Sequence, residues 1–348
     1  MTNVRPHNFK ILVTGGAGYI GSHTVVELQQ QGFPVVIVDN LSNSRASVIS
    51  RIAEITGVKP EFHQFDLIDR EKTADFFAAH RDINAVIHFA AFKAVGESME
   101  EPLKYYRNNL DSLINTLQGM KDARIENLVF SSSCTVYGQP DELPVRETSP
   151  VKDSWSPYGN TKQMSEQIIR FSSNSFGFRS IALRYFNPVG AHESALIGEL
   201  PLGVPSNLSP FITQTAAGKH ECLTIFGTDY PTPDGTAIRD YIHVVDLARA
   251  HVAAVHRMLD GRSQSNCEVF NVGTGNGYSV REVLQSFERV SGRKLPVRYT
   301  ERRPGDIEQV WADTTLANAA LGWKAEKALD EMMLSAWKWQ QSLNPENQ

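Results

Sequence analysis

Short apolar runs alternate with amphipathic stretches from the start of the chain. The runs are KILVTG near residue 10, VVIVDN near 35, AVIHFAA near 85, NLVFSSS near 127 and SIALRYF near 180, with a weaker one from Phe62 to Leu67. The periodicity between them predicts helices from about Ile20 to Gln31, Glu101 to Lys121 and Tyr158 to Asn174. Because unbroken apolar strands flanked by helices form parallel sheets covered on both faces, this pattern predicts a doubly wound α/β sheet.

The pattern changes after residue 187. A loop rich in Pro and Gly over residues 187–210 is followed by shorter strands and helices. Capping residues predict helix starts near Ser279 and near Asp313. We therefore expect a nucleotide-binding domain over residues 1–187 and a smaller, mixed α/β substrate lobe over residues 188–348. The sequence leaves open whether the second part of the chain returns to the main sheet.

Composition restricts the class of protein. The 348 residues are 41% hydrophobic and 21% charged, which is typical of a globular chain that buries a large core. Lys and Arg number 34 against 39 Asp and Glu, for a net charge of −5. This balance offers no basic surface for a nucleic-acid backbone, so no nucleic-acid partner is expected.

Targeting signals and cysteine spacing bear on the compartment. The N-terminal apolar run is too short for a signal peptide, and no run of 18 apolar residues occurs, so neither export nor a membrane span is expected. Cys134, Cys222 and Cys267 have neither CxxC nor zinc-ligand spacing. We therefore expect no metal site, three buried thiols and a reduced cytoplasmic setting.

The first strand leads directly into a glycine motif at the mouth of a helix. Gly15 permits a tight turn, Gly18 allows close approach of a pyrophosphate, and Gly21 allows the helix to pack on the strand. Asp39 ends the second strand and is placed to accept hydrogen bonds from a ribose, which favours NAD over NADP. Asp66, after the third strand, is a candidate either for the adenine amino group or for a turn cap.

Two segments that converge at the carboxyl edge of the sheet carry the candidate chemistry. Ser133 follows NLVFSS, while Tyr158 and Lys162 are four residues apart and share one face of a helix. A phenol with an ordinary pKa of about 10 is a weak base at neutral pH, but nearby positive charge favours the phenolate. The pattern therefore predicts that Tyr158 moves a proton, that Lys162 lowers its pKa, and that Ser133 hydrogen-bonds the reacting oxygen.

Several collinear motifs carry a resemblance to known families. The segments TGGAGYIG, SSSCTVYG and YGNTK resemble the extended short-chain dehydrogenase/reductase superfamily, which has a Rossmann-like sheet. HFAAFKAVGES, RYFNPVGAH, IFGTDYPTPDGTAIRDYIHVVDLA and RRPGDIEQVWAD are similar to the UDP-glucose 4-epimerase family. The similarity extends from about Lys10 to Trp339.

The resemblance implies site residues position by position. It gives the catalytic roles to Ser133, Tyr158 and Lys162, which also contact NAD. The other residues that it implies for NAD are Gly15, Gly18, Tyr19, Ile20, Gly21, Asp39, Asn40, Leu41, Ser42, Asn43, Ser44, Asp66, Leu67, Phe89, Ala90, Lys93, Asn108 and Phe186. For the UDP-sugar it implies Ser133, Tyr158, Asn187, Asn207, Leu208, Thr224, Ile225, Phe226, Arg239, Arg303, Asp306 and Val310.

The resemblance also implies a reaction. Tyr158 would take the proton of the sugar 4-hydroxyl while tightly held NAD serves as a reversible hydride acceptor. The resulting 4-keto sugar would turn within the pocket and be reduced on its opposite face. The family further implies a homodimer paired through helices near residues 101–121 and 158–174, although their apolar faces could equally pack within one chain. His88 and His243 are expected to be core or capping residues.

Val310 leads to a narrower hypothesis. Family members restricted to glucose and galactose typically carry Tyr at this position, before the WAD triplet, whereas members that also accept N-acetylhexosamines carry a smaller residue. The isopropyl group should leave volume for a 2-acetamido group. The alternative is that Val310 merely packs the lobe.

Two other functions deserve comparison. A nucleotide-sugar 4,6-dehydratase shares the fold, but such enzymes place an Asp-Glu pair where this chain has Cys134 and Thr135. A non-catalytic NAD-sensing protein is the second alternative, and degenerate members of that kind usually lose the Tyr or Lys that this chain retains. Neither alternative fits the motifs as well as an epimerase.

Overall fold

The computed structural model describes residues 8–303 and 306–343. Strands and helices alternate through its first part, with a short 3-10 helix over Cys134–Tyr137 after the fifth strand. The elements are β1 (Lys10–Thr14), α1 (Tyr19–Gln30), β2 (Val35–Asp39), α2 (Ser47–Thr56), β3 (Glu61–Gln64), α3 (Arg70–Ala79), β4 (Ile83–His88), α4 (Val95–Glu100), α5 (Pro102–Ala123), β5 (Asn127–Ser131), α6 (Pro157–Phe176) and β6 (Arg179–Tyr185).

Shorter elements follow in the second part of the chain. They are β7 (Asn187–Val189), α7 (Leu208–Ala216), β8 (Leu223–Phe226), β9 (Ile238–His243), α8 (Val244–Leu259), β10 (Cys267–Val272), β11 (Gly277–Ser279), α9 (Val280–Ser291), β12 (Val297–Thr300), β13 (Gln309–Val310), α10 (Thr315–Leu321) and α11 (Leu329–Ser342). No helix in the two described ranges combines the length and apolarity needed to cross a bilayer.

Most of the predicted elements are confirmed, and the differences have local causes. The third strand ends at Gln64, three residues before the predicted end, because the Asp66 carboxylate accepts the Ile68 N–H and closes a turn. The helix start near Ser279 is confirmed, since Ser279 and Glu282 form a capping box at α9. The sequence pattern did not reveal α2, which connects β2 to its neighbour β3, or α3, which lies in the long crossover from the edge strand β3 to β4.

Seven parallel strands in the order β10-β6-β5-β4-β1-β2-β3 form the main sheet. The chain runs outward from β1 to β3 on one side and from β4 to β10 on the other. This reversal leaves a crevice at the carboxyl ends of β1 and β4, where doubly wound sheets bind ligands. The predicted Rossmann-like fold is confirmed.

The second part of the chain contributes both to the main sheet and to a separate lobe. β10 pairs with β6, and α8 packs on α1, where Arg249 forms an ion pair with Glu27 at 3.2 Å. A small mixed sheet of β7, β9, β11 and β13 and a parallel pair, β8 and β12, lie outside the main sheet. The domain boundary after residue 187 stays a prediction.

Apolar layers cover both faces of the main sheet. On β1, Ile11 and Val13 join a buried cluster with residues of α1 and α8, whereas Leu12 joins one with residues of α3 and α5. Alternation of side chains along a strand produces this division. The predicted core and capping histidines are confirmed: His88 is buried 2.9 Å from the Thr14 hydroxyl, and His243 caps α8.

α3 packs closely on α5 at Gly119, so a substitution at this residue tests the contact between the two helices. A Cβ atom at Gly119 would overlap the ring of the buried residue Phe77. Overpacking costs about 1–3 kcal/mol and the gain in helix propensity is about 1 kcal/mol, so Gly119→Ala should lower the free energy of unfolding by up to about 2 kcal/mol. Urea unfolding measures the change.

Gly96→Ala in α4 is the matched control, because a Cβ at Gly96 meets nothing within 4 Å. Its stability should be unchanged or slightly higher. If Gly119→Ala proved as stable as this control, the close contact between α3 and α5 would be wrong.

Candidate active site

The glycine motif forms the floor of the crevice. Gly15 follows β1 with φ of +68°, a conformation that side chains rarely adopt, and a Cβ there would lie 2.9 Å from the backbone nitrogen of Ala90. A Cβ on Gly18 would lie 3.2 Å from the Gly15 carbonyl oxygen, and one on Gly21 would overlap that oxygen. The turn therefore requires glycine at the first and third positions.

The N-terminus of α1 fits a pyrophosphate. Gly18 is its N-cap and supplies no capping side chain, and the first turn holds no acidic residue. Free N–H groups and the positive end of the helix dipole therefore face the crevice. A side chain at Gly18 would narrow the approach to them.

Asp39 is held rigidly at the end of β2. Its Oδ1 accepts hydrogen bonds from the Leu41 N–H at 2.8 Å and the Ser44 hydroxyl at 2.9 Å, and its Oδ2 accepts the Ala17 N–H at 3.1 Å. Each carboxylate oxygen can accept about two hydrogen bonds, so Oδ2 retains capacity for a ribose hydroxyl. Asp66 closes a turn and also accepts a hydrogen bond from Asn40 at 2.9 Å, and it too faces the crevice.

One cleft of about 630 Å³ brings most of the predicted cofactor residues together. The predicted residues that line it are Gly15, Gly18, Tyr19, Ile20, Gly21, Asp39, Asn40, Ser42, Asn43, Ser44, Asp66, Leu67, Phe89, Ala90, Lys93, Asn108, Tyr158 and Lys162, together with Asn207 from the predicted sugar-nucleotide set. The glycine turn, the uncapped helix and the carboxylate pair fit a dinucleotide. Lys162 lies in the same cleft as this turn.

Tyr158 and Lys162 are placed by the start of α6, which Ser156 caps by accepting the Gly159 N–H at 3.1 Å. The Lys162 ammonium lies 5.9 Å from the centre of the Tyr158 ring and donates a hydrogen bond to the Ser131 carbonyl at 2.6 Å. Ser133, two residues beyond β5, caps the short 3-10 helix by accepting the Thr135 N–H at 3.2 Å, and its side chain lies beside the Tyr158 phenol.

Burial dominates the electrostatics of this group. It raises the pKa of the Tyr158 phenol well above its ordinary value, although the Ser133 hydroxyl opposes the shift. It also lowers the pKa of Lys162 to about 8, against the influence of Glu166. We expected Lys162 to lower the pKa of the Tyr158 phenol. In the protein alone, desolvation outweighs that effect, and the pKa is raised instead.

A buried polar network that the sequence analysis missed supports the catalytic residues. Glu166 lies one helical turn after Lys162, forms an ion pair with Arg184 at 2.6 Å and accepts the Ser132 hydroxyl at 2.5 Å. Arg184 also donates to the Tyr137 hydroxyl at 3.0 Å. The spacing of four residues between Lys162 and Glu166 was the available signal, since it places both on one face of α6.

Glu199 is a second residue that the pattern did not reveal. Its carboxylate contacts Lys93 at 3.1 Å and Asn207 at 2.7 Å, so it joins a predicted cofactor residue to a predicted sugar-nucleotide residue. The Tyr19 hydroxyl donates to the Gly190 carbonyl at 2.7 Å and attaches the same loop to α1. A lone Glu in a loop rich in Pro and Gly carries no sequence signal of this role.

Three of the predicted sugar-nucleotide residues form one contact group. The Arg303 guanidinium lies 5.3 Å from the centre of the Phe226 ring and pairs with Asp306 at 3.2 Å. Phe226 is 40% exposed at the end of β8. An exposed aromatic face beside a guanidinium and a carboxylate can stack on a flat base, pair with phosphate and accept hydroxyl groups.

The other predicted residues on this side lie closer to Ser133. Val310 pairs with Arg239 in the parallel register of β13 and β9, and Asn187 pairs with Tyr241 two residues further along β9. Val310 is buried in one apolar cluster with Phe186, and Cys134 packs against the same cluster. Val310 and Phe186 therefore pack behind the loop that carries Ser133 instead of lining the large cleft.

The side chains of three predicted residues point into apolar packing. Leu41 has a left-handed φ of 60° and packs on the core beside α1. Leu208 and Ile225 pack in the core of the C-terminal lobe. Ile225 is fully buried, whereas Leu41 and Leu208 are partly buried. Thr224 precedes Ile225 on β8 and is partly buried.

Comparison with known proteins gives a consistent result. A family model described as GDP-mannose 4,6 dehydratase matches residues 12–335. The UDP-glucose 4-epimerase of Bacillus subtilis strain 168 is 51% identical over 333 residues, which cover 95% of this chain and 97% of the relative.

Solved structures agree with this match. The crystal structure of UDP-glucose-4-epimerase from Stenotrophomonas maltophila with bound NAD and formylated UDP-arabinopyranose has a TM-score of 0.92 at 51% identity, covering 96% of this chain and 98% of its own. The UDP-glucose 4-epimerase from Bifidobacterium longum in complex with NAD+ and UDP has a TM-score of 0.92 at 45% identity, covering 97% and 99%.

The site distinguishes this chain from the dehydratases that give the family model its description. Burial raises the pKa of the Cys134 thiol to about 12, and the next residue, Thr135, has no acidic or basic group. Neither side chain can replace the acid and base that loss of water requires. Together with the near full-length similarity, this shows that the chain belongs to the UDP-glucose 4-epimerase family of extended short-chain dehydrogenases/reductases.

Proposed function

We propose that this chain interconverts UDP-glucose and UDP-galactose by inverting the configuration at C4 of the sugar, with NAD retained as its cofactor. One observation carries the proposal: a single cleft joins a dinucleotide-binding turn to Tyr158 and Lys162. The relatives that match nearly the whole chain are named for this epimerisation.

The residues that would hold the cofactor follow from the cleft. Gly15, Gly18 and the N-terminus of α1 would bind the pyrophosphate, Asp39 one ribose, and Lys162 the other ribose. When bound, NAD supplies a reversible hydride acceptor for C4 and a positive charge that favours the Tyr158 phenolate.

Tyr158 is the proposed proton carrier at the sugar O4. The Ser133 side chain lies beside the Tyr158 hydroxyl, so a sugar hydroxyl that joins this pair can pass its proton to the phenolate and later recover it. Ser133 would hold the same oxygen throughout. Because Tyr158 is buried, water has little access to the exchange.

The second part of the chain, residues 188–348, is proposed to hold the UDP group. Arg239 and Arg303 would pair with the pyrophosphate, Phe226 would stack on the base, and Asp306 would accept ribose hydroxyls. Asn207 would contact the nucleotide near Glu199. Binding through the nucleotide alone leaves the sugar ring free to turn between its two faces.

Tyr158→Phe tests the proposed proton transfer. The variant should convert UDP-galactose to UDP-glucose about 10²–10⁴-fold more slowly, because the ring is retained and only the hydroxyl is lost. The assay omits added NAD, and bound nicotinamide is measured after denaturation. The variant should still contain bound nicotinamide.

Tyr106→Phe is the matched control, since the Tyr106 hydroxyl donates to Asn160 on the α5–α6 contact and lies outside the cleft. It should retain the activity of the parent protein. Unchanged turnover in Tyr158→Phe, or a purified protein that contains and needs no nicotinamide, would refute the proposed function.

We also propose that UDP-N-acetylglucosamine and UDP-N-acetylgalactosamine are substrates. Val310 is buried in one apolar cluster with Phe186, and Cys134, the residue after Ser133, packs against that cluster. A tyrosine at position 310 would need volume that these neighbours fill, so its ring would project toward the sugar. Valine leaves that space for a 2-acetamido group.

Val310→Tyr tests the substrate range. Conversion of UDP-N-acetylgalactosamine should fall below detection while conversion of UDP-galactose stays within a few-fold of the parent protein, because only the larger sugar needs the volume. Val310→Thr is nearly isosteric and should keep both activities. A parent protein that epimerises UDP-galactose but not UDP-N-acetylgalactosamine would show that Val310 only packs the lobe.

We propose that a second copy of the chain covers the outer face of α5 and α6. Within one chain the two helices already pack together, with hydrogen bonds from Tyr106 to Asn160 at 2.8 Å and from Asn109 to Thr161 at 3.1 Å. Large apolar side chains nevertheless stay exposed on these helices. They are Leu103, Ile114, Met164, Phe171 and Phe176.

Ile114→Glu combined with Phe171→Glu tests this interface. Two carboxylates on the covered face should convert a dimer to a monomer, because their desolvation would oppose association. Light scattering after size exclusion measures the mass. Leu316→Glu on α10, also at an exposed leucine, should leave the dimer intact. A monomeric parent protein would exclude the dimer.

The proposed cytoplasmic location rests on the cysteines. Cys134, Cys222 and Cys267 are all free thiols. Unpaired cysteines are typical of reducing compartments, whereas exported proteins usually pair them.

A further inference from the structure

The β3 edge of the main sheet, outside the cleft lining, brings together two imidazoles and a carboxylate. Glu61 and His63 are two residues apart on the edge strand β3 and therefore project to the same face. His80, at the end of α3, packs against them. The His63 and His80 Nε2 atoms lie 2.8 and 3.0 Å from the same Glu61 oxygen, Oε1.

The hydrogen bonds of His80 determine which of its two ring nitrogens has a lone pair available for a ligand. Its Nδ1 lies 2.8 Å from the Phe76 carbonyl oxygen, which only accepts, so Nδ1 carries a hydrogen. In the neutral ring, Nε2 then directs a lone pair at the Glu61 carboxylate. Two lone pairs at 3.0 Å repel, so either a proton on Nε2 or a metal ion must lie between the two atoms. Stacking on the Phe76 ring, with centres 4.3 Å apart, fixes the orientation of the imidazole.

This geometry matches that of metal-binding histidines. A ligating imidazole commonly donates its other N–H to a backbone carbonyl, which fixes the tautomer and the ring plane. All three donor atoms, His63 Nε2, His80 Nε2 and Glu61 Oε1, lie within 4.8 Å of one another. Ligands on a tetrahedral zinc ion are about 3.4 Å apart, given bond lengths of about 2.0–2.1 Å, so small side-chain movements suffice.

Lys10 is the feature of the cluster that opposes a metal ion. Its ammonium lies 3.2 Å from the other carboxylate oxygen of Glu61, Oε2, and 3.1 Å from Asp82. The contact leaves Oε1 available and holds the carboxylate in place. The positive charge of Lys10 nevertheless repels a second cation, so its removal should strengthen metal binding.

We propose that Glu61, His63 and His80 bind a divalent transition-metal ion of the zinc type. Two imidazoles and one carboxylate are ligands that zinc prefers, and the exposed side of the cluster leaves a position for water. The ion would join the edge strand β3 to the end of α3, just before the Asp66 turn. The expectation of no metal site rested on the spacing of the cysteines alone. His63 and His80 lie 17 residues apart, in no recognised ligand spacing, and were not considered as ligands.

Calorimetric titration of the untagged, full-length protein with Zn²⁺ tests the proposal. One ion should bind per chain through this cluster, and Zn²⁺ should raise the unfolding temperature. His63→Gln and His80→Gln should each weaken binding by about tenfold or more, since each removes one ligand. Lys10→Gln should strengthen it several-fold.

His220→Gln is the matched control, because His220 hydrogen-bonds to Gln214 in another part of the fold. It should leave the affinity unchanged. Co²⁺ substitution provides an independent readout, because binding here should add no thiolate-to-metal charge-transfer band. If Zn²⁺ does not bind, a proton rather than a metal ion lies between Glu61 and His80, and the proposal is overturned. Affinity unaffected by His63→Gln and His80→Gln, or a thiolate band, would also overturn it.

Discussion

The buried hydrogen bond from the Lys162 ammonium to the Ser131 carbonyl connects the helix that carries Tyr158 to the main sheet. It joins α6 to the end of β5, so Tyr158 and Ser133 are positioned by the same contact. Burial of a cation is costly. Because folding lowers the pKa of Lys162 to about 8, this cost is fully present at neutral pH and disappears as pH rises from about 8 to the ordinary value of 10.5.

A second set of polar contacts compensates for that burial. Glu166 supplies negative charge one helical turn from Lys162, and Arg184 and the Ser132 hydroxyl satisfy the Glu166 carboxylate. The Lys162 ammonium thus lies beside a connected polar network in the interior. Such networks are stable only when each group finds a partner, which makes the geometry of the site rigid.

The same principle operates where the two parts of the chain meet. Glu199 joins Lys93 to Asn207, and the Tyr19 hydroxyl attaches the long loop to the helix that faces the pyrophosphate position. Cofactor and sugar-nucleotide residues therefore belong to one hydrogen-bonded surface. At the β3 edge of the sheet, the cluster around Glu61 joins a strand to a helix by polar contacts outside the cleft lining.

Local sequence patterns were sufficient to predict the parts of the structure that depend on residues close together in the chain. Alternating strands and helices, the turn at Gly15 and the four-residue spacing of Tyr158 and Lys162 are local, because strand period, helix period and glycine conformation act over a few residues. Return of β10 to the sheet, the Glu199 link and the pKa of Tyr158 could not be predicted in this way. They depend on burial and on contacts between residues far apart in sequence, which only tertiary packing creates.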